Sequence, residues 1–223
     1  MANNTNLKNY FNLLSKTYFI NEFASFFITN YMRRKLIKKI KILKNKSILD
    51  IMSGKGENLK YINQRQNNTT ITTIDFANKM NVAARLKNQN KIIKQIEKDF
   101  FINNEKSESF DIILCSFGIK TIEKDKIKLF AKKINHLLKA NGEILLLEMV
   151  KPKRKIFLRF VKFYLNNLLP FIFGHQFKLL FPYVNKHKNM NDLSRNLSRY
   201  GHLEIIEHTR IFDFFEIIHA KKK

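Results

Sequence analysis

The sequence predicts an α/β fold: a doubly wound, mostly parallel sheet closed by a C-terminal antiparallel hairpin, seven strands in all. Three observations carry that expectation. Apolar strand-like runs alternate with amphipathic helical stretches from residue 47 to residue 150, the pattern of a parallel sheet covered on both faces. The first run ends in Ser53-Gly-Lys-Gly56 and opens onto helix-compatible sequence, a tight turn that lets backbone approach a ligand closely. The runs Leu203–His208 and Ile211–Ala220 are separated by little more than Thr209-Arg210, which reads as a hairpin.

Composition bounds the answer. A chain of 223 residues, 44% hydrophobic and 27% charged, fits one soluble domain with a sizeable core. No run of 18 apolar residues exists, so no transmembrane helix is expected. The N-terminus is polar and lacks a signal core. The single cysteine, Cys115, excludes an internal disulfide and sits in a strand-like run as a plain buried residue. A cytoplasmic protein is expected. The net charge of +24, mostly from lysine, favours contact with nucleic acid or an anionic membrane surface. A lysine-, asparagine- and isoleucine-rich composition also arises from base composition alone.

Residues 1–45 read as an N-terminal helical cap. Leu7, Phe11, Leu14 and Tyr18 keep helical spacing, and a second piece from Phe23 to Leu43 ends in a basic amphipathic stretch. The core, 46–152, begins with the strand Ser47-Ile-Leu-Asp-Ile51, the glycine turn and a short helix over Glu57–Gln64. A second strand, Thr70-Ile-Thr-Thr-Ile74, ends at Asp75, which lies 75 − 54 = 21 residues after Gly54. That is where a ribose-binding acid stands in a βαβ unit. A third glycine would fall at Leu59, so the phosphate-binding form of the motif is incomplete.

A helix over Asn78–Lys87, a weak third strand over Lys91–Glu97 and a strong fourth strand over Phe110–Ser116 follow. Lys124–Lys139 is a helix with Ile127, Phe130, Ala131, Ile134, Leu137 and Leu138 on one face, ended by Asn141-Gly142. The fifth strand, Glu143–Val150, stops at Pro152. In such sheets ligands bind at the carboxyl ends of the strands. Asp50–Gly56, Asp75, Asp99 and Ser116–Gly118 all stand at those ends and should share one crevice.

Residues 153–188 form a helical insertion that caps the substrate side. Phe157, Phe160, Val161, Tyr164 and Leu168 make one helical stripe opposite Lys155, Arg159 and Lys162. Such a basic amphipathic helix fits a membrane surface or a helix packed on the sheet with its charges outward. A closing helix, Met190–Tyr200, and the hairpin complete the region 189–223.

These motifs resemble the class I S-adenosylmethionine-dependent methyltransferases, a Rossmann-like fold. They resemble most the ubiquinone/menaquinone-biosynthesis C-methyltransferases (UbiE-like). Ile48-Leu-Asp-Ile-Met-Ser-Gly-Lys-Gly-Glu57 is similar to that family's V-L-D-x-(A/G)-(C/G)-G-T-G-D. Thr73-Ile-Asp-Phe-Ala-Asn-Lys-Met80 is similar to G-x-D-x-S-x-x-M. Ser109-Phe-Asp-Ile-Ile-Leu-Cys-Ser-Phe-Gly-Ile119 and Leu137 through Pro152 resemble two further segments. Ser25 through Arg34 is a weaker match to the N-terminal helix. The chain departs from the pattern at Lys55, at Lys120-Thr121 in place of an Arg-Asn pair, and at Phe212-Asp-Phe214 in place of T-G-G.

The resemblance implies S-adenosylmethionine as cofactor and a small hydrophobic acceptor, aromatic or lipid-like. It implies that Ser53, Gly54 and Gly56 line the methionine and ribose part, with Asp50 acting through the loop. Asp75 would hold the ribose hydroxyls, Phe76 and Met80 flank the adenine, and Asp99 accept from its amine beside Phe100. Ser116 and Phe117 would stand where donor meets acceptor. No catalytic residue is assigned; Lys120, His175, His219 and Asp213 are the weak candidates. No Cys/His spacing suits a metal.

Two other readings stay open. An RNA or DNA methyltransferase fits the charge, although the segment after strand four reads Cys115-Ser-Phe-Gly-Ile-Lys and not N-P-P-Y. A degenerate relative that binds lipid or a partner protein is the other. The sequence leaves the oligomeric state open, a homodimer included.

Overall fold

A computed structural model describes residues 28–41, 44–63, 68–88, 93–102, 104–174, 178 and 180–223. The expected helical positions from Leu7 to Tyr18, and His175, lie outside them. A seven-stranded sheet runs in the order β3-β2-β1-β4-β5-β7-β6. Its strands are β1 Ser47–Ile51, β2 Thr70–Ile74, β3 Ile93–Ile96, β4 Phe110–Ser116, β5 Leu138–Met149, β6 Leu203–Ile211 and β7 Phe215–Lys222. β1 to β5 pair in parallel, and β7 pairs antiparallel with both β5 and β6. The order reverses between β1 and β4, which opens a crevice at their carboxyl ends.

Alternation along the strands explains why helices cover both faces. In β4, Ile113 and Cys115 join one core with Leu49, Ile144 and Leu146. Ile112 and Leu114 join the other with Ile48, Leu145 and Leu147. The first face is closed by α4 (Ile127–Leu137) through Phe130, Ala131, Ile134 and Leu137, and by α8 (Asn191–Gly201) through Leu193 and Leu197. At Gly201 a Cβ would stand 3.0 Å from the Ala131 carbonyl oxygen, so a side chain there would push these helices apart. The second face is closed by α1 (Ile28–Lys38) and by α2 (Leu59–Asn63). On α1 the positions Thr29, Met32, Arg33, Leu36 and Ile37 form the buried stripe, at the i, i+3, i+4 spacing of a helix face, and Ile40 is buried just past its end. α3 (Asn78–Lys87) follows β2. The insertion folds as α5 (Lys155–Phe163), one π-helical turn (Tyr164–Leu168), α6 (Leu169–Phe173) and α7 (Leu180–Lys186).

Two boundaries differ from expectation. Gly142 does not end the helix before β5, because α4 already stops at Leu137. Instead β5 starts at Leu138 and carries a bulge between its pairings Phe110↔Leu138 and Ile112↔Glu143. Asn141 (φ 60°) and the close approach of Gly142 to the Asp111 carbonyl build that bulge. The hairpin turn is not Thr209-Arg210. Both residues pair with β7, and the chain reverses at Phe212 (φ 52°) and Asp213 (φ 56°).

Candidate active site

The carboxyl ends of β1, β2 and β4 meet in one cleft. Met52, Ser53, Gly54, Glu57 and Asn58 come from the loop after β1, and Asp75, Phe76 and Met80 from β2 and the start of α3. Ser116, Phe117, Gly118 and Thr121 come from the loop after β4, and Arg33 arrives from α1. Two non-glycine residues of this lining hold left-handed backbone, Met52 (φ 53°) and Phe117 (φ 66°). Such strain persists only where the surroundings enforce it. Phe117 donates its backbone N–H to the Leu147 carbonyl at 2.7 Å. A Cβ on Gly118 would stand 2.7 Å from both Cβ and Sδ of Met52, so the β1 and β4 loops touch through a glycine.

The acid at the end of β2 is held from two sides. Gly54 N–H donates to Asp75 Oδ2 at 2.8 Å and Ala77 N–H to Oδ1 at 2.8 Å. Asn81 donates from Nδ2 to the Asp75 carbonyl at 2.9 Å. Burial pushes the Asp75 carboxyl up, and the Ala77 and Gly54 amides draw it back. Each carboxylate oxygen keeps a lone pair beyond these bonds, enough for a vicinal diol. Gly54 adopts φ +55°, and no atom of the described residues lies within 4 Å of its absent Cβ. Glycine is therefore required by the backbone turn rather than by a close neighbour.

Behind this lies a buried polar chain. Asn58 donates from Nδ2 to Asp50 Oδ1 at 2.9 Å, and Ser116 donates its hydroxyl to Asn58 Oδ1 at 3.0 Å. Asp50 Oδ2 is buried with no hydrogen-bond partner among the described residues. Desolvation drives this carboxyl from its ordinary 3.8 to about 7, opposed by Asn58 and by the charge of Arg33. Arg33 is itself buried, with its guanidinium 4.7 Å from the centre of the Phe117 ring.

The sequence pattern of the ubiE/COQ5 methyltransferase family matches residues 1–180. The chain belongs to this family. It is an S-adenosylmethionine-dependent methyltransferase. A ubiquinone/menaquinone biosynthesis C-methyltransferase from Geotalea daltonii is 30% identical over 168 residues, 70% of this chain and 68% of that protein. A demethylmenaquinone methyltransferase from Staphylococcus aureus is 26% identical over 179 residues, 79% of this chain and 73% of its own length. The fold is that of a solved methyltransferase from Aquifex aeolicus, with a TM-score of 0.63 and 13% identity over 86% of this chain and 89% of that one.

The residues of this methyltransferase fit the cofactor's parts. Asp75 offers a two-oxygen acceptor, Arg33 a buried cation, and Asp50 a buried oxygen without a donor among the described residues. Of the residues expected from the sequence, Ser53, Gly54, Asp75, Phe76, Met80, Ser116 and Phe117 line the cleft. Asp50 reaches it through Asn58. Gly56 lies under the loop, donating to the Ser53 carbonyl at 2.9 Å. Asp99 and Phe100 are not among the lining residues. Asp99 Oδ1 accepts from the Phe101 amide, and the Phe100 ring is buried 5.5 Å from that of Phe130.

Of the candidates for a catalytic base, the described ones, Lys120, His219 and Asp213, are not among the residues that line the cleft. Lys120 pairs with Glu148, Nζ to Oε1 3.0 Å, and also donates to the Phe117 carbonyl. Glu148 is fully buried and accepts from the Lys120 and Met149 amides. The pair braces the loop that carries Phe117. His219 lies 2.8 Å from Glu143 Oε2, toward the opposite end of β5. Asp213 accepts from the Arg154 amide at 2.9 Å and pairs with Arg210 at the hairpin turn. The sequence places Met52 and Gly118 in the shared crevice without a role, and does not place Arg33, Glu57, Asn58 or Thr121 there. For Arg33 a signal existed: it falls on the apolar stripe of α1, four residues after Thr29 and three before Leu36.

Proposed function

We propose that this cleft holds S-adenosylmethionine across the ends of β1 and β2 and transfers its methyl group to a small hydrophobic acceptor, aromatic or lipid-like, of the quinone-precursor kind. The carrying observation is Asp75, fixed by two backbone amides at the mouth of the glycine loop. In this reading Asp75 takes the ribose hydroxyls, and Arg33 pairs with the methionyl carboxylate. Asp50 acts on the amine through the Asn58–Ser116 chain, and Phe76 and Met80 flank the adenine. When bound, the cofactor supplies a methyl group activated by a sulfonium centre. The protein's task is then alignment and exclusion of water. Phe117, Met52 and Thr121 present the surface that an acceptor would meet. The curated relatives support a quinone-like acceptor by their names.

Net charge favours RNA as the second acceptor class. The test is transfer of labelled methyl from S-adenosylmethionine to short-tailed demethylated quinols and, in parallel, to RNA. Label in a quinol is expected. Label in RNA alone, or in neither by protein that binds S-adenosylhomocysteine, would refute the acceptor class.

A further inference from the structure

The segment from α5 to α6 carries an exposed apolar face beside a basic one. Ile156 is 79% exposed, Phe160 61%, Phe163 59% and Phe171 87%. On α5, Ile156, Phe160 and Phe163 project within about 60° of one another at 100° per residue. Lys155, Arg159 and Lys162 occupy the adjoining arc, all exposed, while Val161 turns inward onto Leu165, Leu169 and Val184. Among the described residues the helix thus has three sides: one buried, one cationic and one apolar and exposed. No Asp or Glu occurs between Glu148 and Asp192, whereas nine Lys or Arg do. The segment itself therefore offers an anionic partner cations and no carboxylate; Asp213, which meets the Arg154 amide at the start of α5, is paired with Arg210.

A row of rings leads inward from this face. Phe160 stacks on Phe157 at 6.4 Å, Phe157 meets Phe214 at 6.2 Å, and Phe214 meets Phe215 at 5.2 Å. Phe215 meets Phe117 at 6.2 Å, and Phe117 lines the cleft. The exposed face is therefore continuous with the acceptor side of the site.

We propose that the α5–α6 face seats the protein on an anionic lipid bilayer, with Ile156, Phe160, Phe163 and Phe171 entering the headgroup boundary and Lys155, Arg159 and Lys162 meeting lipid phosphates. Apolar residues beside lysine and arginine on one helix are what such a surface selects, because burial and charge attraction add. The row of rings then places the acceptor end of the cleft next to lipid. That last step rests on the hydrophobic acceptor proposed above; the docking itself does not.

The experiment is flotation of the full chain with vesicles of phosphatidylcholine alone and of phosphatidylcholine with phosphatidylglycerol. Wild type should float with the anionic vesicles, less so as salt rises. The variant Phe160→Ser/Phe163→Ser/Phe171→Ser should bind them at least about tenfold more weakly, and Arg159→Gln/Lys162→Gln should lose the preference for anionic lipid. Thermal unfolding checks that each variant is folded; if the triple variant is not, Ile156→Ser/Ile172→Ser replaces it. Calorimetry with S-adenosylhomocysteine keeps the two proposals apart, since failure of the cofactor site leaves flotation intact. Equal flotation of the apolar variants and wild type would overturn the proposal. So would sedimentation showing a wild-type dimer that those variants abolish, which would make the face an interface between copies of the chain.

Discussion

Replacing Arg33 separates cofactor recognition from folding. Its guanidinium is buried at the cleft, over the Phe117 ring, and its charge stabilises ionised Asp50. If it pairs with the methionyl carboxylate, the lost interaction is a charge-assisted hydrogen bond away from bulk water, worth about 1.5–3 kcal/mol. At roughly 1.4 kcal/mol per tenfold, affinity should fall about 10- to 100-fold in Arg33→Met. The fold should survive, because Met fits the apolar stripe of α1 and removes a buried charge. The assay is calorimetric titration with two ligands, S-adenosylhomocysteine and 5′-methylthioadenosine. Both carry the nucleoside, but only the first carries a carboxylate. The variant should lose affinity for the first and retain the second within about threefold. Because part of the loss passes through Asp50, the double variant Arg33→Met/Asp50→Asn should lose less than the sum of the single changes. Equal losses for both ligands would refute the reasoning and make Arg33 a packing residue; no loss for either would remove it from the site.

Further predictions concern charge and packing. Asp50 is raised to about 7 in the fold, above its unfolded value. Between about pH 4 and pH 7 the folded state therefore holds a proton that the unfolded state has released, and stability falls as pH rises through that window, by up to about 4 kcal/mol. Asp50→Asn should flatten that slope in thermal unfolding. It should also abolish a rise in S-adenosylmethionine affinity near pH 7, where ionised Asp50 begins to attract a cationic ligand. Gly118→Ala places a Cβ 2.7 Å from Met52 and should cost about 1–3 kcal/mol in denaturant unfolding. Lys120→Met leaves Glu148 as a buried carboxylate without its cation and should cost about 3–5 kcal/mol, most of it regained in Lys120→Met/Glu148→Gln.

The parts of the fold legible in the sequence are those where local pattern and burial agree. β1, the glycine loop, Asp75 and β4 were readable because strands buried on both faces are continuous apolar runs, and because Gly54 and Asp75 stand at fixed spacing. The hairpin turn was hidden because Phe212 takes a left-handed conformation that glycine or asparagine usually signals, and its neighbours continue a hydrophobic run. The bulge at Asn141-Gly142 was mistaken for a helix end because both features call for the same residues. Arg33 looked like one cation in a solvated basic stretch. Only its phase on the helix distinguishes it from Arg34 and Lys35, and nothing local says that the stripe meets a cleft. The Lys120–Glu148 pair joins residues 28 apart, a contact that periodicity cannot express.

The central claim is that Asp75, at the end of β2 and locked to the glycine loop, holds the cofactor. The most direct measurement is calorimetric titration of S-adenosylhomocysteine into wild type, Asp75→Asn and Asp75→Ala, each shown to be folded by thermal unfolding. Wild-type binding that weakens at least about 100-fold in Asp75→Ala, with Asp75→Asn in between, is the predicted result. Undiminished binding by folded Asp75→Ala would contradict the account, as would the absence of binding by folded wild type.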